Sequence, residues 1–590
     1  MMFFGRLILF IPLFFIILLG PAVAVDATLD KIIVKLKENS SPFMVGEDDI
    51  DSKSLASISD LFNYSLGSEL IQRGIYGAQQ DISVRGGNFE QNAVMLDNQR
   101  LNDPQTGHFN LDLPLTLEDI DTVMVMPLKS GSALMPDAIS GGVNFIIKRP
   151  KDNKLVAKVF GGNHDTYSGL VSTSIFRNNI GNRVSFEKIK SDGFQPHTDN
   201  DNISIFDSLY LTDEENNLDV NFGYSQKDFG AYDFYTPGKG YPSREKTRTK
   251  LVSARGELVN YSIKFKPNIR WRRHYDTFIL NENKPNLYLN NHRSDIFSAG
   301  LDGIFSFGKI GESTFGTEAR EERINSLRLG KRCRNSFAFY FDDKAILRDD
   351  LLLDLRARSD WFDNFGSQLC GFLGLEYLIN DYTFYFNVSR SVRIPTYTEL
   401  YYSDSTTVGD PTLKKESALN YQVGYNKNKD LYSFGQNVFF RDEFDAIDWV
   451  KTQSETRWIA KNINAYVFGL ENFIKIRPLE QVEWYLNYSY INKPPDKDFS
   501  YKYGPSNFRN LASSGINLFL GQFLQSLDLV YKNKPTRDGW FLLSSKTEYN
   551  LNNNIRIFLE ANNLINVEYE EIPGIPSPGR LVRAGMRLEW

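Results

Sequence analysis

Val582-Arg583-Ala584-Gly585-Met586-Arg587-Leu588-Glu589-Trp590 closes the chain in strict alternation. Val582, Ala584, Met586, Leu588 and Trp590 fall on one face of an extended backbone, and Arg583, Gly585, Arg587 and Glu589 on the other. A period of two marks a strand with one apolar and one polar side. The same texture recurs upstream, where Val482, Trp484, Leu486, Tyr488 and Tyr490 alternate with Glu483, Tyr485, Asn487 and Ser489. Tyr382, Phe384, Phe386 and Val388 alternate likewise with Thr383, Tyr385, Asn387 and Ser389. One such strand would fit a half-buried position in a soluble sandwich. Many of them, each near the 9 to 11 residues that cross a bilayer when tilted, favour an all-β transmembrane barrel. Residues 151–590, at roughly 20 residues per strand and connection, give about 22 antiparallel strands, a size whose lumen needs a plug.

Composition agrees. Phe 44, Tyr 30 and Trp 7 make 81 aromatic residues of 590, as expected where aromatic girdles mark both membrane interfaces. The net charge of −6 is small for this length and indicates no nucleic-acid partner. At the N-terminus Arg6, the apolar run Leu7 to Leu19 and the small residues Ala22-Val23-Ala24 have the layout of a cleavable signal peptide over 1–24. That run is too short for a spanning helix, and no other run reaches the 18 or so residues that one requires. Two cysteines, Cys333 and Cys370, define neither a disulfide framework nor a zinc site. The five histidines are scattered without metal-ligand spacing, and no nucleophile elbow or carboxylate pair stands in a catalytic frame, so an enzyme is not expected.

Residues 51–150 read differently, as a compact α+β domain. Ser54 precedes Leu55, Ile58, Leu61 and Phe62, which predicts a short capped helix. Short β-like runs follow at Ile82–Val84, Val94–Leu96, Thr122–Val125 and Val143–Ile147, separated by turn residues. Gly86, Gly87, Gly141 and Gly142 allow positive φ or a close backbone approach to a surrounding wall. Arg85 is suited to bidentate contacts with carboxylates across a plug–barrel boundary.

The segment VRGGNFEQNAVMLDNQRLNDPQTGHFNLDLP, Val84 to Pro114, resembles the plug domain of TonB-dependent outer-membrane receptors. Arg85-Gly86, Leu96-Asp97, Pro114, Ile120-Asp121 and Gly141-Gly142-Val143-Asn144 stand in that family's order. Two departures are visible. Asn98 replaces the usual glycine after Leu-Asp, and Met126 to Gly131 with Met135-Pro136 replaces the usual Arg-Gly and Tyr-Gly steps. Asn98 tolerates left-handed backbone, so the turn is expected to survive. In the barrel, Arg393-Ile394-Pro395-Thr396-Tyr397-Thr398-Glu399-Leu400-Tyr401 and Gly409-Asp410-Pro411-Thr412-Leu413-Lys414-Lys415-Glu416 resemble the mid-barrel pattern of the family. Asn562-Asn563-Leu564-Ile565-Asn566 with Pro578-Gly579-Arg580 resembles its last hairpin, and Trp590 stands where a terminal Phe is usual.

The resemblance implies a TonB-dependent importer of a scarce nutrient in a Gram-negative outer membrane, with TonB and outer-membrane lipid as partners. A passive porin is the alternative, although it would need neither plug nor coupling strand. Within residues 25–50, Asp30-Lys31-Ile32-Ile33-Val34 resembles the TonB box, and an Ile-Ile-Val run can add as a strand to a partner's sheet. Motif order is most similar to the cobalamin-receptor branch, which implies a corrinoid, with iron siderophores, haem and oligosaccharides open on the same scaffold. It also implies calcium as a loop ligand at Asp192, Asp199, Asp201, Asp233 and Glu245, since Ca²⁺ takes 6 to 8 oxygens from flexible loops.

Overall fold

A computed structural model describes residues 43–127, 138–213, 215–261, 263–306, 311–502, 507–535 and 537–590. From Lys154–Gly162 to Leu581–Glu589 the described residues form 22 long antiparallel strands, and those two pair with each other to close a barrel. The expected strand number is borne out. Two further segments of two residues, Thr407–Val408 and Ser500–Tyr501, pair at the ends of long strands. Closure satisfies each wall strand's backbone from both neighbours, which a bilayer core demands because no water is there to do so.

The wall is inverted relative to a soluble sheet. In the strand Leu351–Phe362, Asp354, Arg356, Arg358 and Asp360 are buried toward the lumen, whereas Trp361 is 67% exposed on the outside. Arg583 and Arg587 of the closing strand likewise face inward, and Arg583 holds Glu560 at 2.5 Å. Exposed Phe384, Phe386, Val423, Tyr466 and Phe523 carry the outer face. Lipid solvates these apolar side chains, so the wall gains nothing by turning them in.

Connections differ at the two ends. At one end they run two to four residues, as at 178–179 and 213–216; at the other they reach 22 residues, at 394–415. Outer-membrane barrels keep short turns on the periplasmic side and long loops outside, which orients the molecule.

The lumen is filled by the N-terminal region. Its sheet runs Met44–Gly46, Ile120–Met126, Gly141–Ile147, Asn92–Leu96, Gln99–Arg100 in spatial order, with Asn92–Leu96 parallel to Gly141–Ile147. A hairpin, Ser68–Arg73 with Gln79–Val84, lies beside it. Phe62 and Phe145, both 0% exposed, meet edge-on at 5.9 Å in its core. The expected strands all form. The expected helix does not: Ile58–Asn63 is a 3₁₀ turn capped by Ser57, whose partner is Asp60. Ser54 instead bonds Asn562 of the wall, and the one α-helix among the described residues of this region lies earlier, at Glu47–Ser52.

Candidate functional site: latches and cavities between plug and wall

The tightest plug–wall contact forms where the strand Gln79–Val84 ends. Arg85 takes φ +47° and Gly86 φ +73°, a reversal that sends the Arg85 side chain into the wall. Its guanidinium donates from Nε and Nη2 to the two Glu471 oxygens at 2.9 and 2.6 Å, and from Nη1 to Gln422 at 3.2 Å. The Phe439 ring lies 4.4 Å away, and neither charged side chain is exposed. Gly67 makes room for the pair, because a Cβ there would stand 2.5 Å from Glu471 Oε1. Such a buried, doubly bonded pair costs about 3–5 kcal/mol to break by removing one partner.

The other plug residues singled out in the sequence have backbone duties. Asp97 and Asn98 take φ +47° and +66°, so asparagine supports the turn that glycine usually makes. Asn98 and Asn144 exchange two hydrogen bonds at 2.9 and 3.0 Å, and Asp97 accepts from the Ile147 amide. Gly141 has φ +134° and Gly142 lies against the Ala93 carbonyl, where a Cβ would sit at 2.6 Å.

The mid-barrel motif dips inward from the loop at 394–415. Thr396 caps the short helix Tyr397–Tyr401 with Glu399 in a reciprocal capping box. Glu399 also pairs with Arg393 at 2.8 and 2.9 Å, and Arg393 reaches Glu416, which accepts from Gln91 of the plug at 3.1 Å. The amides of Tyr397 and Thr398 donate to the carbonyls of Pro104 and Gln105, so this loop is tied to the plug by backbone as well as charge.

An outer cavity of about 80 Å³ lies above these contacts, at the long-loop end. Asn88 to Gln91 of the plug form its floor, and Trp449, Lys493, Pro494, Tyr501 and Phe508 its sides. Glu90 is buried and accepts from Thr106 and Gly107; burial and the neighbouring Glu399 raise its carboxyl well above the usual range. Nearby, His108 stacks on Phe89 at 4.0 Å and places Nδ1 2.8 Å from Asp81, which also pairs with Arg73 at 2.7 Å. Burial lowers the pKa of His108. The Asp81 carboxyl, opposed by burial but held by His108 and Arg73, falls to about 2. Burial leaves the imidazole neutral near pH 7, donating a hydrogen bond, with Arg73 as the cation.

A second cavity of about 510 Å³ opens at the short-turn end. It separates plug residues Asp97, Asn98, Glu118 and Asp121, and the linker Lys148 to Asp152, from wall residues Val156, Ser172, Ser174 and Arg183. Arg149 and Arg255 meet Asp219 at its rim at 2.8 and 3.1 Å.

The five carboxylates expected to hold calcium occupy separate settings. Asp192 is exposed; Asp199 pairs with Arg244 at 3.1 Å; Asp201 pairs with Lys188. Asp233 accepts from the Gly240 and Tyr241 amides, and Glu245 is buried against the Tyr235 hydroxyl. Among the described residues no three His, Cys, Asp or Glu side chains converge as metal ligands. Cys333 is exposed and Cys370 is buried. Asp30 to Val34 and the signal segment lie outside the described residues. Sequence reasoning singled out Glu416 only as part of the mid-barrel motif and did not single out Glu471 or Asp219, polar residues in alternating strands.

A closed wall with its lumen occupied by its own N-terminal domain, pinned by buried ion pairs, defines a gated outer-membrane receptor. The TonB dependent receptor-like, beta-barrel family matches residues 156–564, and the TonB-dependent Receptor Plug Domain family matches residues 35–143. The chain belongs to the TonB-dependent receptor family, whose place is the outer membrane of Gram-negative bacteria. A relative, the vitamin B12 transporter BtuB of Vibrio vulnificus (strain CMCP6), is 20% identical over 475 residues, covering 73% of this chain and 72% of its own. The siderophore receptor PirA of Pseudomonas aeruginosa superposes with TM-score 0.74 at 16% identity, covering 93% of this chain and 98% of that one. The copper transporter OprC superposes with TM-score 0.78 at 14% identity, over 97% and 100% of the two chains.

Proposed function

We propose that this receptor imports a corrinoid across the outer membrane, drawing on energy delivered through TonB. The observation that carries active import rather than passive flow is the plug itself, held in the lumen by the fully buried Arg85–Glu471 pair. An unplugged porin has no use for such a latch. The corrinoid reading is supported by the order of plug motifs and by the likeness to the vitamin B12 transporter. The solved siderophore receptors favour a ferric siderophore as the second reading. Asp30 to Val34 serve as the coupling strand in this scheme. Calcium belongs to the same reading; to bind it, Asp199 and Asp201 must exchange Arg244 and Lys188 for the metal. The test is uptake of radiolabelled cyanocobalamin and of ferric enterobactin by cells whose own receptors are deleted, with and without TonB. TonB-dependent cyanocobalamin uptake is expected; uptake of the iron complex alone would transfer the function to the second reading. Melting of the purified protein in Ca²⁺ and in chelator decides the metal: no shift removes it.

A further inference from the structure

On one side of the barrel the outer face of the wall changes character within two residues. Phe222, Val252, Trp271 and Phe297 stand opposite one another across the strands Asn217–Gly230, Arg244–Asn260, Ile263–Ile279 and Leu289–Ser306. They face outward and form the last apolar row before the long-loop end. The next outward row is Tyr224, Lys250, Arg273 and Asp295, and the one beyond it Gln226, Arg248, Tyr275 and Arg293. Rows two residues apart are separated by roughly 6–7 Å along the strands. Trp and Tyr with cations just beyond a lipid-facing belt mark the level of the lipid headgroups.

The protein does not balance the charge of this patch. Asp228 holds Arg244 and Lys246 at 2.6 and 2.8 Å, and Asp295 holds Arg273 and Arg293 at 2.5 and 3.2 Å. Arg248 lies over the Tyr275 ring at 5.8 Å, and among the described residues neither it nor Lys250 pairs with a carboxylate. Lys250 stands directly opposite Arg273, a like-charged cross-strand pair that costs stability unless an anion lies between. Lys246, Arg248 and Lys250 are all exposed, and no other wall strand among the described residues carries three outward cations in succession. A merely solvated face would have no reason to gather them beside Trp271, whose ring lies 5.2 Å from the Arg273 guanidinium.

We propose that this patch binds the phosphate groups of an anionic lipid of the outer leaflet, held by Arg248, Lys250 and Arg273, with the acyl chains laid on Phe222, Trp271 and Phe297. A guanidinium matches phosphate in a two-bonded fork, and an ammonium adds a mobile point charge. A phosphate between Lys250 and Arg273 removes their repulsion. The apolar row below selects a lipid over a free anion, because it gives the chains a surface that inorganic phosphate cannot use. The site lies on the outside of the wall, away from the lumen, and stands whatever the cargo.

The test titrates the purified full-length receptor, in non-ionic detergent, with lipopolysaccharide labelled on its sugar, with the same lipid after enzymatic dephosphorylation, and with inorganic pyrophosphate as competitor. Saturable binding of the phosphorylated lipid is expected, about tenfold or more tighter than that of the dephosphorylated one. Arg248→Gln with Lys250→Gln should weaken it by a similar factor. Lys427→Gln with Lys429→Gln, the same charge change at the short-turn end of Glu416–Lys429, should leave it unchanged. The phosphorylated lipid should also raise the temperature at which the barrel loses its folded gel migration, in the parent and not in the Arg248/Lys250 variant. In lipid-free detergent that variant should melt no lower than the parent, because the residues replaced pair with no carboxylate. Equal binding by parent and variant overturns the site, as does equal binding of the two lipids. Full displacement of the lipid by equimolar pyrophosphate makes this a free-anion site and overturns the lipid.

Discussion

Replacing Glu471 with alanine leaves the Arg85 guanidinium buried with one remaining acceptor, Gln422 at 3.2 Å. Two charge-assisted bonds of 2.6 and 2.9 Å are lost in a place that water does not reach. Removing one member of such a pair costs about 3–5 kcal/mol. The loss falls on docking of the plug, because Glu471 sits in the strand Trp458–Leu479, whose ladders to both neighbours are untouched. At 1.4 kcal/mol per factor of ten, the undocked population rises roughly 10² to 4 × 10³-fold. Single-channel recording in planar bilayers under a urea gradient reads this directly. The variant should show open-lumen events at a urea concentration where the parent is silent, while the barrel keeps its heat-modifiable migration on gels. Arg85→Met with Glu471→Leu, which removes both charges, should recover most of the loss, since an apolar pair of similar volume escapes the desolvation cost. Parent-like conductance of Glu471→Ala across the gradient would refute the latch.

Three further outcomes are expected. Ile33→Pro removes a backbone donor that strand addition needs, so TonB-dependent uptake should vanish while ligand binding to de-energised cells stays near normal; unchanged uptake sinks the coupling assignment. Deleting residues 51–150 should leave a barrel that inserts and conducts continuously, and an electrically silent deletion would contradict the plug. The third is a pH effect at His108. Burial lowers its folded pKa below the ordinary 6.5 or so, so the unfolded chain takes up a proton that the folded one refuses, and stability falls as pH drops below about 6.5. Asp81, held at about 2, gives up its contribution only below its ordinary value near 3.9 and is not the cause in that window. The midpoint of plug melting should therefore drop between pH 7 and 5 in the parent but not in His108→Gln; parallel curves would exclude the histidine.

Most of the wall was legible because its rule is local. A strand such as Tyr382–Arg393 shows in one glance which residues face lipid, since Phe384 and Phe386 alternate with buried Thr383, Tyr385 and Asn387. The plug strands were legible for a similar reason, and the turn at Asp97-Asn98 survived its missing glycine because asparagine tolerates positive φ. The helix expected at Ser54 failed because the apolar spacing Leu55, Ile58, Leu61, Phe62 fits a 3₁₀ turn from Ser57 as well, and Asn562, far away in the chain, claimed Ser54. In the outer loops Asp199 and Asp201 stand two apart in the sequence, and the register of Asn200–Thr212 sets them against different cations, Arg244 and Lys188, a pairing that no pattern in the sequence shows.

The latches were illegible in principle. Arg85 and Glu471 are 386 residues apart, and Lys53 and Asp528 are 475 apart. In the sequence Glu471 is one more polar residue on the inward face of an alternating strand, no different in kind from Glu483 or Glu560. What distinguishes it is a depth along the lumen, fixed by strand tilt and register, at which the reversal after Val84 aims Arg85. Periodicity tells which face a residue lies on; it carries no coordinate along the barrel axis. The lumen-facing carboxylates of this wall are thus interchangeable on the page and become latches only at the level where the plug presents a cation. A lumen Glu or Asp moved two residues along its own strand keeps its face and every pattern in the sequence. It shifts by roughly 6–7 Å along the strand, more than twice the length of the hydrogen bonds that make the latch.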